Sequence, residues 1–339
     1  MIFEVISIQP KVKFDEIILC SDIGGTYANF CIAVIKNRKP TILFQDQESM
    51  ASVNDLLSLI VTFYNKAIDR GYEPTSASFA VAGPVANRRG YQNVVMTNTD
   101  FKLDTRDIEQ KTGLEDIVMM NDFVAASYAV NLLESRDYYV MSNGNPEPKA
   151  TKAVIGAGTG VGKCILYFDN ESDAYLPIPS EGGNTDLPLQ DENELKMAKY
   201  IKQIRKLKRQ LYYEDILSGT GLESLYKYLN STEYKKEPQD LSAEEISKTR
   251  TSNKCSNKTF ELFVTYYARC ARNFALDTLS KGGLYLAGGI AAKNPLIFDK
   301  FHLEFCDHGV YSHILKDIPV YLITNSDIGL LGAAYGAMI

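Results

Sequence analysis

Ile17-Ile-Leu-Cys-Ser-Asp-Ile-Gly-Gly-Thr-Tyr-Ala-Asn-Phe-Cys-Ile-Ala-Val-Ile35 is the stretch whose reading decides the fold. An apolar run reaches Asp22, breaks at Gly24-Gly25-Thr26 and resumes as a second, β-branched apolar run. Short apolar runs joined by a glycine break read as strand, tight turn, strand. Glycines without Cβ let backbone N–H groups approach an anion, and Thr26 adds a hydroxyl donor. Asp22, at the strand end, is placed to face a phosphate-bound Mg²⁺, directly or through water. An ordinary β-hairpin with Asp and Gly in its turn fits the same letters, so the stretch alone leaves both readings open.

At 339 residues the chain is long enough for two domains, on a prior of ~100–200 residues per domain. Its 45% hydrophobic and 23% charged residues are ordinary for a globular protein and unlike a disordered one. The net charge of -6 argues against a nucleic-acid backbone as partner. Cys20, Cys31, Cys164, Cys255, Cys270 and Cys306 lack C-x-x-C spacing, which points to free thiols rather than disulfides or a zinc site. Met1 to Phe14 has no basic start leading into an apolar stretch, and no segment approaches the ~20 apolar residues of a membrane span. A cytoplasmic protein with no membrane partner is expected.

Along the chain, Ser52-Val-Asn-Asp55 resembles a capping box before a helix running to Gly71. Strands are expected over Ser76–Ala82 and Asp116–Asn121, with helices over Asp104–Thr112 and Phe123–Leu133. A second unit opens at Lys152. Strand, glycine turn Gly156-Ala-Gly-Thr-Gly-Val-Gly162 and strand follow again, so an internally duplicated α/β architecture is expected. Asn193–Leu211 reads as a helix with a solvated basic face. Asn230–Asn257 reads as a polar excursion, and Lys258–Leu279 as a long amphipathic helix closed by Gly282-Gly283. A strand at Leu284–Ala287 runs into Gly288-Gly289, and a strand at Val320–Ile323 precedes a small-residue helix over Ile328–Met338.

The glycine turns fail the usual nucleotide motifs. For G-x-G-x-x-G after Gly156 and Gly158 the third glycine falls on Val161; for a P-loop, Lys163 is followed by Cys164. Both turns continue as strands and open no helix, so what remains is a nucleotide clasp of two β-hairpin tips.

Asp22-Ile-Gly-Gly-Thr26, Ala82-Gly-Pro-Val85, Asn121-Asp-Phe123, Gly156–Gly162, Glu181-Gly-Gly183, Leu217-Ser-Gly219, Ala287-Gly-Gly-Ile290 and Asp317-Ile-Pro-Val-Tyr321 occur in this order. The ordered set resembles the bacterial glucokinase family of the hexokinase/actin/Hsp70 superfamily, from about Ile17 to the C-terminus. The resemblance implies a two-lobed actin-like ATPase (ribonuclease H-like) fold with a central cleft. Residues 1–131 with 320–339 would form the smaller lobe and 132–319 the larger. It implies ATP, Mg²⁺ and phosphoryl transfer to the 6-hydroxyl of a hexose, normally glucose, with a homodimer plausible. Such chemistry needs positioning, charge neutralisation and one base. By resemblance Asp122 is that base, and Asn121, Asp122, Glu181, Asn184 and Glu214 surround the sugar. Gly24, Gly25, Thr26, Gly158, Thr159 and Gly160 hold phosphates, Gly288 and Gly289 lie against the adenosine, and Asp22 orients the metal.

Three letters depart from the family pattern. Tyr27 and Asn29 stand where its first turn has Asn and Arg, and Asn184 where it has His. Losing a cation beside the phosphates weakens charge stabilisation, and Asn184 does not titrate. A kinase for another hexose, a weakly catalytic sugar or nucleotide sensor, and an actin- or Hsp70-like ATPase therefore stay open at this point.

Overall fold

The computed structural model describes residues 16–36, 39–88, 90–97, 99–234, 240–294 and 300–339. The chain folds as two compact units, one drawn from Met1–Leu133, Asp169–Pro177 and Ser326–Ile339, the other from Glu134–Phe168 and Ile178–Asn325. The first unit takes up the chain again at Ser326, after the strand Val320–Ile323 has paired within the six-stranded sheet.

In the first unit β1 (Ile17–Ile23), β2 (Tyr27–Lys36), β3 (Lys39–Ser49), β4 (Ser76–Val81) and β8 (Asp116–Asn121) form a sheet of order β3-β2-β1-β4-β8. The short strands β5 (Val85–Arg88), β6 (Tyr91–Val95) and β7 (Lys102–Asp104) form a separate small sheet. β1 and β2 are antiparallel, and the turn closes where Gly24 N–H donates to Tyr27 O at 3.0 Å. The expected hairpin is therefore present. β4 and β8 then add in parallel, which places the ends of β1 and β8 at one edge.

Period-2 alternation gives this sheet two apolar faces. Leu19, Phe30, Ile32 and Phe79 pack with Leu56, Ile60 and Phe63 of helix α1 (Leu56–Asp69). Ile18, Cys20, Cys31 and Ala80 pack with Ala125 and with Leu330, Ala333 and Ala334 of the C-terminal helix Ile328–Gly336. The cap of α1 is Asp55, whose carboxylate accepts Ser58 N–H at 3.0 Å, and not Ser52, which lies in a preceding 3₁₀ turn. Helix α2 (Thr105–Thr112) ends at Gly113 as expected. Helix α3 (Asp122–Tyr128) is shorter than the expected Phe123–Leu133 because the chain tightens into a 3₁₀ turn over Ala129–Asn131.

The second unit repeats the plan. Strands β9 (Tyr138–Ser142), β10 (Lys152–Ala157), β13 (Gly283–Ala287) and β14 (Val320–Ile323) lie wholly in it and, with β11 (Val161–Asp169) and β12 (Ala174–Ser180), make a sheet of order β12-β11-β10-β13-β14-β9. β10 and β11 make the second antiparallel hairpin, closed by Gly158 N–H to Gly160 O at 2.9 Å. β13 and β14 then add in parallel, as β4 and β8 do in the first unit. Ile155, Leu284 and Leu286 pack with Phe263, Tyr267 and Phe274.

Helix α4 (Glu192–Ile204) is followed by α5 (Gly219–Thr232), α6 (Ala243–Thr249) and α7 (Lys254–Thr278). The expected helix Asn193–Leu211 stops at Ile204, and Lys206 has φ 54°. α7 begins at Lys254 because Asn253 accepts Cys255 N–H at 2.9 Å, and it ends with Leu279 in the left-handed region, before Gly282-Gly283. The polar 230–257 segment contains α6 and the start of α7; residues 235–239 lie outside the described set. All six cysteines are free and buried.

A methyl group on Gly332 would lie 1.7 Å from the Ala125 carbonyl oxygen. Ala improves an exposed helix by about 1 kcal/mol over Gly, but overpacking here costs about 2–4 kcal/mol. Gly332→Ala is therefore expected to lower the urea midpoint of unfolding. An unchanged or raised midpoint would show that the C-terminal helix is looser than this contact requires.

Candidate active site

The parallel run β1-β4-β8 carries the first unit's chemistry. Asp22 is paired in register with Ala80, and Asn121 with Val81, so both polar residues sit at the same end of the sheet. Asn121 caps α3: its Oδ1 accepts Phe123 N–H at 3.0 Å and Val124 N–H at 3.3 Å, and its Nδ2 donates to Gly83 O at 3.2 Å. The capping of α3 falls chiefly to Asn121. Asp122, the first helical residue, also accepts Phe123 N–H, at 2.8 Å.

Asp22 lies against the C-terminal helix, where a methyl on Gly329 would meet its carboxylate at 2.1 Å. Burial first, and the Asp122 charge second, push Asp22 up from its ordinary 3.8 to about 7. Two carboxylates held together in a partly desolvated place resist double ionisation unless a cation joins them. Hard oxygen donors of this kind suit Mg²⁺, which is commonly held by one or two carboxylates with substrate phosphates completing the shell. Asn29, in register with Asp22, accepts a hydrogen bond from Gln47 Nε2 at 2.6 Å, and Tyr27 is half exposed.

In the second unit the expected residues gather on one hairpin tip. Glu214 Oε2 accepts Val161 N–H at 3.0 Å, and a methyl on Gly160 would lie 2.5 Å from the same oxygen. Gly219 N–H donates to Gly158 O at 3.0 Å. Gly288, with φ +92°, packs where a methyl would sit 2.4 Å from Ala157 O. Glu181 precedes a 3₁₀ turn over Gly182–Asn184, and both Glu181 and Asn184 are exposed. Gly183 of that turn lies where a methyl would be 2.1 Å from Val161 O.

Other expected glycines have no such neighbour. A methyl on Gly25, Gly158 or Gly289 would meet nothing within 4 Å, and one on Gly24 would meet only Tyr27 O at 3.6 Å. The packing leaves room above these turns, which fits a cradle for phosphate and nucleotide approached by backbone N–H groups.

Two features were not read from the sequence. Asp215, 3% exposed, pairs with Arg209 at 2.6 Å and Arg205 at 3.0 Å and fixes the 3₁₀ turn Tyr213–Asp215 that carries Glu214. The expected solvated basic face therefore supplies two internal anchors. Lys163 is buried on β11, and a charged residue in an otherwise apolar strand was the available signal.

Each unit thus presents a hairpin-led α/β sheet with a glycine turn and acidic residues at strand or turn ends. That plan is the two-lobed actin-like ATPase fold. The glucokinase family model matches residues 19–338, and the chain belongs to that family. The Nostoc punctiforme glucokinase is 31% identical over 342 residues, covering 94% of this chain and 98% of the relative. The crystal structure of a glucokinase from an Antarctic psychrotroph superposes with TM-score 0.81 at 26% identity, covering 96% and 99% of the two chains. A Balamuthia mandrillaris glucokinase structure in complex with glucose has TM-score 0.80 at 21% identity, covering 96% and 94%.

The sign of the Asp22 shift predicts a pH dependence. A carboxyl with a raised folded-state pKa binds its proton more tightly folded than unfolded, so its contribution to stability is lost as pH rises from 3.8 toward about 7. Asp22→Asn removes that titration. In EDTA without nucleotide, its Tm is expected to gain on wild type by about 3 °C or more between pH 5 and pH 8. A Tm difference that stays flat across this range would remove the raised Asp22 from the account.

Proposed function

We propose that this protein phosphorylates the 6-hydroxyl of glucose with ATP. The observation that carries the reading is Asp122, the residue that follows β8, close enough for its charge to act on Asp22 near the end of β1, in a chain that belongs to the glucokinase family along nearly its whole length. Strand C-terminal edges are where open α/β sheets bind ligands.

In this reading Asp122 accepts the proton of the attacking hydroxyl, as a general base within hydrogen-bond reach of it. Asn121 holds the first turn of α3 and so fixes where that carboxylate stands. Glu181, Asn184 and Glu214 orient the sugar through its ring hydroxyls, Asn184 donating and accepting through its amide. Gly24, Gly25, Thr26, Gly158, Thr159 and Gly160 hold the phosphates, and Gly288 and Gly289 lie along the adenosine. Asp22 is the chain's contribution to holding Mg²⁺. When bound, the ion would neutralise charge on the phosphates and join the two acidic groups. The neutral Asn29 and Tyr27 leave more of that neutralisation to the ion. Six buried free thiols support action in the reducing cytoplasm, and the family resemblance is the support for a homodimer.

Asp122→Asn is expected to lower kcat about 10²–10⁴-fold in a coupled ADP-release assay, with glucose affinity by calorimetry changed little. A near wild-type kcat would remove Asp122 as the base. On a panel of hexoses at equal enzyme, glucose is expected to give the highest kcat/KM. Another sugar ranking first would relocate the specificity to that sugar, and sugar-independent hydrolysis would reject the transfer reaction altogether.

A further inference from the structure

We infer that Lys163 is a positioning residue for the hexose: a buried ammonium and its stem that brace the two turns carrying Glu181 and Glu214. The inference rests on the hexose-kinase reading of those carboxylates and deepens it.

Lys163 lies on β11 opposite Ile155, on the sheet face that packs against α7, and is 6% exposed. Removing a Lys ammonium from water is expensive unless something replaces its hydration. Here the replacement is made of ring faces and a thiol. Nζ sits 5.1 Å from the Tyr213 ring centroid and 5.2 Å from that of Phe274, within the range of cation–π attraction. Cys270 of α7 also faces it; burial pushes that thiol up to about 11, opposed by the Lys163 charge.

Each end of the side chain touches a sugar segment. A methyl on Gly182 would lie 2.9 Å from Lys163 Cδ and 3.5 Å from Nζ, so the stem lies directly beneath the turn that follows Glu181. Tyr213 precedes Glu214 in the other turn, and its hydroxyl accepts Asn273 Nδ2 at 2.8 Å, which holds the ring in place. Val161, two residues earlier on the same strand face, underlies Gly183 and donates its N–H to Glu214. Val161 and Lys163 thus support consecutive glycines of the first turn, and both also engage the second. The long aliphatic stem sets the height of the Gly182–Asn184 turn, while the ammonium, fixed by the rings, stops the stem from swinging away.

The natural test is Lys163→Met, which keeps stem length and removes the charge, beside Lys163→Ala, which removes both. For Lys163→Met the glucose KM is expected to rise about 3–10-fold and for Lys163→Ala more, with the ATP KM within about twofold and kcat little changed, the pattern of lost ground-state positioning. Amide exchange of the 180–187 segment is expected to accelerate in both variants. Folded Lys163→Met with an unchanged glucose KM, or with both KM values rising in parallel, would overturn the inference. If Lys163→Ala does not fold, Lys163→Met carries the test. If wild type shows no glucose-dependent turnover, the function reading fails first. The exchange rates then still decide whether Lys163 braces the turn, and equal rates in wild type and Lys163→Met would reject it.

Discussion

The hairpin tip of the second unit is held from outside by one side-chain hydrogen bond, from Val161 N–H to the Glu214 carboxylate at 3.0 Å. A hairpin tip rich in glycine has little side-chain packing of its own and loses much conformational entropy on folding. Glu214 supplies an external anchor at the residue where β11 begins. Its own turn is held by Asp215, whose charge is compensated by Arg205 and Arg209. Removing Asp215 would free both arginines, and removing either arginine leaves the buried Asp215 with one compensating charge, so the turn has few alternatives. Anchoring the tip through a carboxylate also means that whatever competes for Glu214 is felt at the Gly158–Gly160 turn.

The first unit has the same sheet plan and a different electrostatic design. Its turn is closed by backbone alone, Gly24 to Tyr27, and its carboxylates stand next to one another instead of being absorbed by hydrogen bonds to the hairpin. The cost is visible in the raised Asp22, to which burial contributes first and the Asp122 charge second. Sites that hold like charges together spend stability for a function that needs them, and that cost is relieved when a cation arrives. Duplicated topology therefore does not duplicate chemistry: one hairpin is stabilised by an acid, the other is bordered by acids that repel.

The two hairpins, the parallel strands added to each and the small-residue packing of the C-terminal helix were legible because they depend on local signals: apolar runs, glycine breaks and Ala/Gly spacing. Edge strands β3 and β12 and the small sheet β5-β6-β7 were not, since their half-exposed residues carry little periodicity of their own. The helix expected over Asn193–Leu211 failed at Ile204 because Arg205 and Arg209 turn inward to Asp215, a long-range pairing that helical spacing cannot reveal. The cap of α1 was misread because Ser52 and Asp55 are both good caps, and only the Ser58 N–H decides between them. Site residues were named mainly through the ordered motifs. Their neighbours Lys163 and Asp215 were missed because no motif contains them.

The departing letters in the first turn also have a physical setting. Asn29 faces Asp22 across the hairpin but turns its amide oxygen to Gln47 on β3, a neutral pair where a guanidinium would have set a positive charge beside the carboxylate. A neutral amide neither stabilises the ionised Asp22 nor competes with a metal for it. The charge that would steady an ionised Asp22 is therefore not supplied by the residue paired with it, and its carboxyl keeps the raised position that burial and Asp122 impose.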